Sequence, residues 1–191
     1  MNAFDNARQI ELAGKEDLVR FLEAQACSGR VVLTDKGPLS TFLQETVGDA
    51  VMNDRQMDTW GVEFKIEEKH TGNLFLETWS NLARRNPGWT VKLNADILLY
   101  YFLDCKHLYS ISFQRLAKWA FGDSDAFRQD QRVIGRSPGR IYDFPERKQR
   151  KRDQRNDTWG RVVPVTTLEK EIGLRAYIQS PSGEFVLKGG G

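Results

Sequence analysis

Three short runs between Thr46 and Asn81 carry the residues best suited to chemistry. They read Thr46-Val47-Gly48-Asp49-Ala50-Val51-Met52-Asn53, Gly61-Val62-Glu63-Phe64-Lys65-Ile66-Glu67 and Asn73-Leu74-Phe75-Leu76-Glu77-Thr78-Trp79-Ser80-Asn81. Successive side chains of a strand point to opposite faces. In the second run Val62, Phe64 and Ile66 therefore share one face, and Glu63, Lys65 and Glu67 the other. Read as a strand, the first run places Asp49 on a face with Val47 and Val51, where a carboxylate is costly without a cation beside it. A hard cation such as Mg²⁺ takes oxygen ligands and keeps several waters. Asp49 and Glu63 suffice to anchor one, and the ion would polarise a phosphoryl oxygen and acidify a bound water. Lys65 could then orient that water or neutralise charge building on a phosphate. Glu77 is either a further metal ligand or a solvent-facing side chain beside Trp79. The plainer alternative for Asp49, Glu63 and Lys65 is a cross-strand charge cluster of the kind common on exposed sheets.

The elements that must position these residues follow from hydrophobic spacing. Leu18, Phe21, Leu22 and Ala26 predict an amphipathic helix over 15–27. Arg30-Val31-Val32-Leu33 reads as a short strand, broken by Gly37-Pro38. Leu39, Phe42 and Leu43 predict a short helix ending near Glu45. After the three strands comes a polar loop, 81–88. Asn94 can cap a helix through Leu103, apolar nearly all round and therefore buried. A strand over 108–113 and a helix through Leu116, Trp119 and Ala120 end at Gly122. From Asp123 to Asp157 the chain is polar and reads as a long loop or partly disordered insertion. Trp159-Gly160-Arg161-Val162-Val163-Pro164-Val165 restores order, and Thr166 with Glu169 forms a capping box for a helix ending at Gly173.

The acid, the Glu-x-Lys and this element order together resemble the restriction-endonuclease-like superfamily, the PD-(D/E)xK nucleases. Asp49 matches the first acid of that motif, Glu63 the second and Lys65 the lysine; Gly48 stands where the motif name has proline. The resemblance spans about Leu39 to Phe113. The stretches Thr71-Gly72-Asn73-Leu74-Phe75-Leu76-Glu77, Gly88-Trp89 and Ala95-Asp96-Ile97-Leu98-Leu99-Tyr100-Tyr101 are similar to small phage and mobile-element proteins of this kind. It implies an α/β fold whose core runs helix, three-strand antiparallel meander, helix, strand, here with a C-terminal basic extension. It also implies Mg²⁺ or Mn²⁺ held by Asp49 and Glu63, and a further carboxylate from a preceding helix, for which Glu16, Glu23 and Glu45 are alternatives.

With 191 residues and 40% hydrophobic content, the chain can bury a core without staples. The expected organisation is a nuclease-like core over 1–122, a basic insertion over 123–158 and a strand–helix appendage over 159–191. No stretch approaches the ~20 apolar residues of a membrane span, and Met1-Asn2-Ala3-Phe4-Asp5-Asn6 does not read as a signal peptide. Cys27 and Cys105 form no CxxC, and a reducing cytoplasm is the simplest location. Two histidines, His70 and His107, argue against a structural zinc site.

Charge is unevenly spread. Residues 1–100 hold 11 Lys/Arg against 15 Asp/Glu, and residues 101–191 hold 17 against 11. The run Arg147-Lys148-Gln149-Arg150-Lys151-Arg152-Asp153-Gln154-Arg155 suits a phosphate backbone, with Arg150, Lys151 and Arg152 at its centre. Arg84, Arg85 and Lys92 could clamp phosphates while Trp79 or Trp89 stacks on a base; the tryptophans could equally be core. The expected function is metal-dependent hydrolysis of phosphodiester bonds, in DNA ahead of RNA, with a homodimer compatible. The rival is a non-catalytic module on the same scaffold that binds nucleic acid or protein, as a phage accessory or anti-defence factor. A third reading is an interaction protein whose basic arm meets an acidic partner.

Overall fold

The computed structural model describes residues 3–26, 30–92, 94–122, 139–149 and 157–188. It is a mixed α/β structure with five α-helices among the described residues. The chain forms two compact units, one from residues 1–70, 94–113 and 174–191, the other from 71–93 and 114–173. No helix among the described residues is long and apolar enough to cross a membrane.

The first unit is a seven-stranded mixed sheet with one long helix, α1 (Ala3–Gln25). Its strands are β1 (Val31–Leu33), β2 (Ala50–Asn53), β3 (Thr59–Glu67), β6 (Ile97–Phe102), β7 (His107–Ser112), β10 (Arg175–Gln179) and β11 (Phe185–Leu187), in that spatial order. Every neighbouring pair is antiparallel except β3 and β6, which are parallel. α1 presents Leu18, Phe21 and Leu22 to Val62, Phe64, Leu99, Tyr101 and Leu108, forming the unit's core. Phe21 meets Tyr177 and Phe185 edge-on, with ring centroids 5.0 and 5.3 Å away. A buried carboxylate, Asp17, sits in this helix–sheet interface. It accepts from Tyr101 Oη at 2.9 Å, Gln179 Nε2 at 3.0 Å, Lys106 Nζ at 3.2 Å and Arg20 at 2.6 Å. Such saturation is what makes a buried charge tolerable. A short helix, α2 (Ser40–Val47), precedes β2.

The second unit is a four-stranded antiparallel sheet, ordered β5 (Asn86–Pro87), β4 (Asn73–Asn81), β9 (Trp159–Pro164), β8 (Glu146–Lys148). It carries helices α3 (Trp89–Lys92), α4 (Phe113–Phe121, which enters from the first unit) and α5 (Val165–Ile172), with a 3₁₀ turn at Arg140–Asp143. Leu74 stands opposite Val163 across the β4–β9 ladder, and both are buried. Glu171 ties the helices to the 3₁₀ turn. It accepts from Trp119 Nε1 at 2.6 Å and from Arg140 Nη2 at 3.0 Å.

Several expectations change. The third strand of the meander, β4, does not join β2 and β3; it lies in the other sheet, and β6 takes its place beside β3. The segment expected as a buried helix over 94–103 is therefore a strand. A continuous apolar run suits a buried helix and a doubly covered strand equally; Tyr100, Tyr101 and Phe102 and the six-residue length favour the strand. Thr46 and Val47 close α2 instead of opening β2. α5 starts after Pro164 with no side-chain cap, so Thr166 and Glu169 form no capping box. The two units also cut across the three-part division expected over 1–122, 123–158 and 159–191, and the strands β10 and β11 had no counterpart in the sequence reading. The helix over 15–27, the strand over 30–33, β3, β7, β9 and the stop at Gly122 correspond to observed elements.

The Asp17 network has a pH signature. Burial by itself would raise the Asp17 carboxyl, but the hydrogen bonds from Gln179, Tyr101 and Lys106 outweigh it and hold the group below the usual range. A folded pKa below the unfolded one means stability present above about pH 3.9, lost as pH falls through the folded value. Asp17→Asn should therefore lower stability at pH 7 and lose less of it than wild type between pH 4 and pH 2. Urea unfolding at those pH values measures both; parallel acid profiles for the two proteins would refute the role.

Candidate active site

β3 supplies the frame of the site. Val62 and Phe64 are buried in the core under α1, with Ile66 packed against it, so Glu63, Lys65 and Glu67 take the opposite face. Glu63 is buried and forms an ion pair with Lys65. The lysine is the more accessible partner, its side chain 28% exposed against 8% for the glutamate. Two residues further on, Glu67 accepts a hydrogen bond from Tyr100 Oη on the parallel neighbour β6.

Asp49 reaches this strand from the side. It sits in the bend between α2 and β2, and β2 pairs with β3 in a register that sets Ala50 opposite Val62. One step further along that ladder brings Asp49 level with Glu63. Its Oδ2 accepts the backbone N–H of Phe64 at 2.9 Å. The bend is built by Gly48, with φ +95°, where an added Cβ would lie 2.6 Å from the Val62 carbonyl oxygen. Proline is locked near φ −65°, so the proline of the motif's name cannot stand in this conformation. Thr34 secures the bend from β1's end: its hydroxyl donates to Gly48 O at 2.6 Å and its N–H to Asp49 O at 3.0 Å.

Asp49, Glu63 and Lys65 thus converge on one strand. A carboxylate offers about four acceptor sites, so the bonds to Phe64 and Lys65 do not exclude a cation held by oxygens of Asp49 and Glu63. Glu77 was read as either a further ligand, from a third strand of the same meander, or a solvent-facing side chain. It lies on β4, which pairs with β9 and β5 in the second unit, so that sheet neighbourhood does not exist.

The other expected residues are placed as follows. Arg84 and Arg85 are exposed in the turn between β4 and β5, where Arg85 adopts φ 55°. Lys92 is exposed at the end of α3. Trp89 is buried, which favours its core reading, and Trp79 is half-buried. Glu16 and Glu23 are exposed on α1. Arg147 and Lys148 lie on β8, with Lys148 paired to Asp157 at 2.7 Å. Arg150, Lys151 and Arg152 lie outside the described residues.

Two features escaped the sequence reading. Asp96 precedes β6 and clamps β3: its Oδ2 accepts Gly61 N–H at 2.7 Å while its own N–H donates to Gly61 O at 2.8 Å. In addition, His70, Cys105 and His107 come together, with one donor atom from each within 4.8 Å of the others. Their sequence spacing matches no compact metal-binding signature, so only the pairing of strands reveals them.

Gly48→Ala offers a test of how Asp49 is placed. Positive φ and the clash with β3 backbone should lower stability by more than about 1 kcal/mol, whereas Gly37→Ala, at φ +95° with open space around it, should cost less. Denaturant midpoints measure the pair; equal losses would show that the approach to β3 is not the tight contact. Comparison with family models, with curated proteins and with solved structures finds no match to this chain.

Proposed function

We propose that the protein is a metal-dependent nuclease of the restriction-endonuclease-like type, hydrolysing phosphodiester bonds in DNA ahead of RNA. The observation that carries the reading is the convergence on β3: a buried Glu63 paired with Lys65, and Asp49 bonded to the very next backbone N–H. In this proposal Asp49 and Glu63 hold Mg²⁺ or Mn²⁺, which when bound supplies charge neutralisation and an acidified water. Glu63 also fixes the position of Lys65. Lys65, the accessible member of the pair, orients the attacking water or meets the charge that builds on the phosphate. Arg84, Arg85 and Lys92 provide backbone contacts, and Arg150, Lys151 and Arg152 extend them.

A second reading has its own support. Asp49 and Glu63 already have partners in Phe64 N–H and Lys65, so the cluster is stable as a scaffold without catalysis. That favours a nucleic-acid- or protein-binding module in the same place.

Cleavage assays separate the two. The protein should cut circular, linear or single-stranded DNA with Mg²⁺ or Mn²⁺ and not with EDTA. Asp49→Ala, Glu63→Ala and Lys65→Ala should each slow cleavage by on the order of 10²-fold or more. Asp49→Asn is the informative control, because its amide oxygen keeps the bond from Phe64 N–H while its charge is gone. Full activity in all four variants, or metal-independent cutting, rejects the site; binding without any cleavage by wild type supports the module instead.

Phosphate contacts have a separate readout. Replacing Arg84 and Arg85 with Gln, or Arg150, Lys151 and Arg152 with Gln, should weaken binding to duplex DNA regardless of sequence. Each lost contact should flatten the log–log dependence of affinity on salt by about 0.9. An unchanged slope means that the replaced residues do not touch phosphates.

A further inference from the structure

The end of the first unit's sheet where β3 and β6 finish and β7 begins carries three side chains that no step of the proposed hydrolysis uses. His70 follows β3, Cys105 lies in the β6–β7 turn, and His107 opens β7. Their donor atoms lie within 4.8 Å of one another, and each residue is half-buried. We propose that His70, Cys105 and His107 form a binding site for a borderline or soft divalent transition metal, with Zn²⁺ the reference ion.

The donor chemistry selects the ion. Two imidazoles and a thiol suit Zn²⁺ or Co²⁺ and disfavour Mg²⁺, which prefers oxygens. Zn–N is about 2.0–2.1 Å and Zn–S about 2.3 Å, so donors around a tetrahedral ion sit about 3.3–3.7 Å apart. Since the donor atoms lie within 4.8 Å of one another, side-chain movement of on the order of 1 Å brings them to that spacing. Three protein donors leave a fourth position for water or another ligand.

The surroundings hold the donors in place before any ion arrives. Both carboxylate oxygens of Asp104 accept the backbone N–H of His70, at 3.1 and 3.0 Å, tying the segment after β3 to the β6–β7 turn. Leu103 N–H and Asp104 N–H donate to Glu67 O and Glu68 O, each at 3.0 Å, across the same junction. The His70 ring stands edge-on to Phe102 at 4.5 Å and to His107 at 5.3 Å. Its Nε2 lies 2.8 Å from Tyr109 Oη. Either group can donate in that contact; with the proton on Nε2 the histidine donates to Tyr109 and Nδ1 is left for an ion, the outer-shell arrangement that orients metal-binding histidines. His107 is half-buried, with Lys188 and Asp104 near it. Lys188 opposes a dication, whereas Asp104, beside Cys105, favours one. The ion would pin the end of β3 to the β6–β7 hairpin.

The site is chemically separate from the Asp49–Glu63 pair and does not rest on the nuclease reading. The test uses the full chain, stripped of metal with a chelator and then titrated with Co²⁺ and with Zn²⁺. Co²⁺ bound at this site should give a thiolate-to-cobalt charge-transfer band and tetrahedral visible bands, and Zn²⁺ should abolish the charge-transfer band while excess Mg²⁺ does not. Cys105→Ser should remove the charge-transfer band, whereas Cys27→Ser and Asp49→Asn should keep it. His70→Ala and His107→Ala should each weaken Zn²⁺ binding at least about tenfold, and Zn²⁺ should raise the unfolding temperature of wild type but not of Cys105→Ser. A wild-type protein with no charge-transfer band overturns the proposal without recourse to any variant. So does a band that survives Cys105→Ser, or one that Mg²⁺ displaces.

Discussion

The two-faced character of β3 is the constraint on which the structure depends. Val62 and Phe64 must meet Leu18, Phe21 and Leu22 of α1, and the period of two then leaves Glu63, Lys65 and Glu67 no choice of side. A slip of one residue would drive a glutamate and a lysine into the helix interface and turn two large apolar side chains out. Register is therefore enforced by the cost of charge burial and by the loss of apolar contact together. Two aspartates reinforce it from outside the ladder. Asp49 bonds Phe64 N–H and Asp96 bonds Gly61 N–H, so β3 is gripped on both flanks by carboxylates that read its backbone.

Parallel pairing between β3 and β6 has topological consequences. Antiparallel strands can be joined by a tight turn, but parallel ones need a long crossover. The chain between them passes through β4, β5 and α3 of the second unit, and later through α4, β8, β9 and α5, before β10 and β11 complete the first sheet. The first unit is thus assembled from three separated segments. Its buried Asp17 shows the dependence directly: an acid from the N-terminal helix is satisfied by Tyr101 from the middle of the chain and Gln179 from near its end. Closing such non-local contacts is slow compared with local pairing.

This also explains what was legible in the sequence. Elements with strong periodicity or punctuation could be read: α1 from its heptad-like apolar stripe, β3 and β4 from alternation, and the stop at Gly122 from a glycine that takes φ 79°. Glu63 and Lys65 on one face followed from alternation alone. Partnerships between strands could not be read, because β4 is as good a neighbour for β3 as β6 until tertiary packing decides. The apolar run Ile97–Phe102 hid its strand character because a strand covered on both faces shows no alternation. The placing of Glu77's strand beside β3 fell with the strand pairing: β4 pairs with β5 and β9. β10 and β11 were unread since Arg175–Gln179 mixes charge, aromatic and aliphatic residues without a clean period.

The same parallel pairing accounts for the second cluster of donors. Because β3 and β6 run the same way, they end at the same edge of the sheet, and the hairpin out of β6 starts β7 there too. His70, Cys105 and His107 meet there because three consecutive strand boundaries meet there, although the sequence between His70 and Cys105 includes another sheet's strands. Linear spacing rules for metal ligands describe loops and hairpins, where ligands lie close in the chain. A site assembled at the shared end of parallel strands escapes them by construction. β3 therefore carries oxygen donors and a lysine on the face away from α1 and leads to nitrogen and sulfur donors beyond its end. The two donor sets differ in chemistry, since oxygens suit Mg²⁺ or Mn²⁺ whereas imidazole and thiolate suit Zn²⁺.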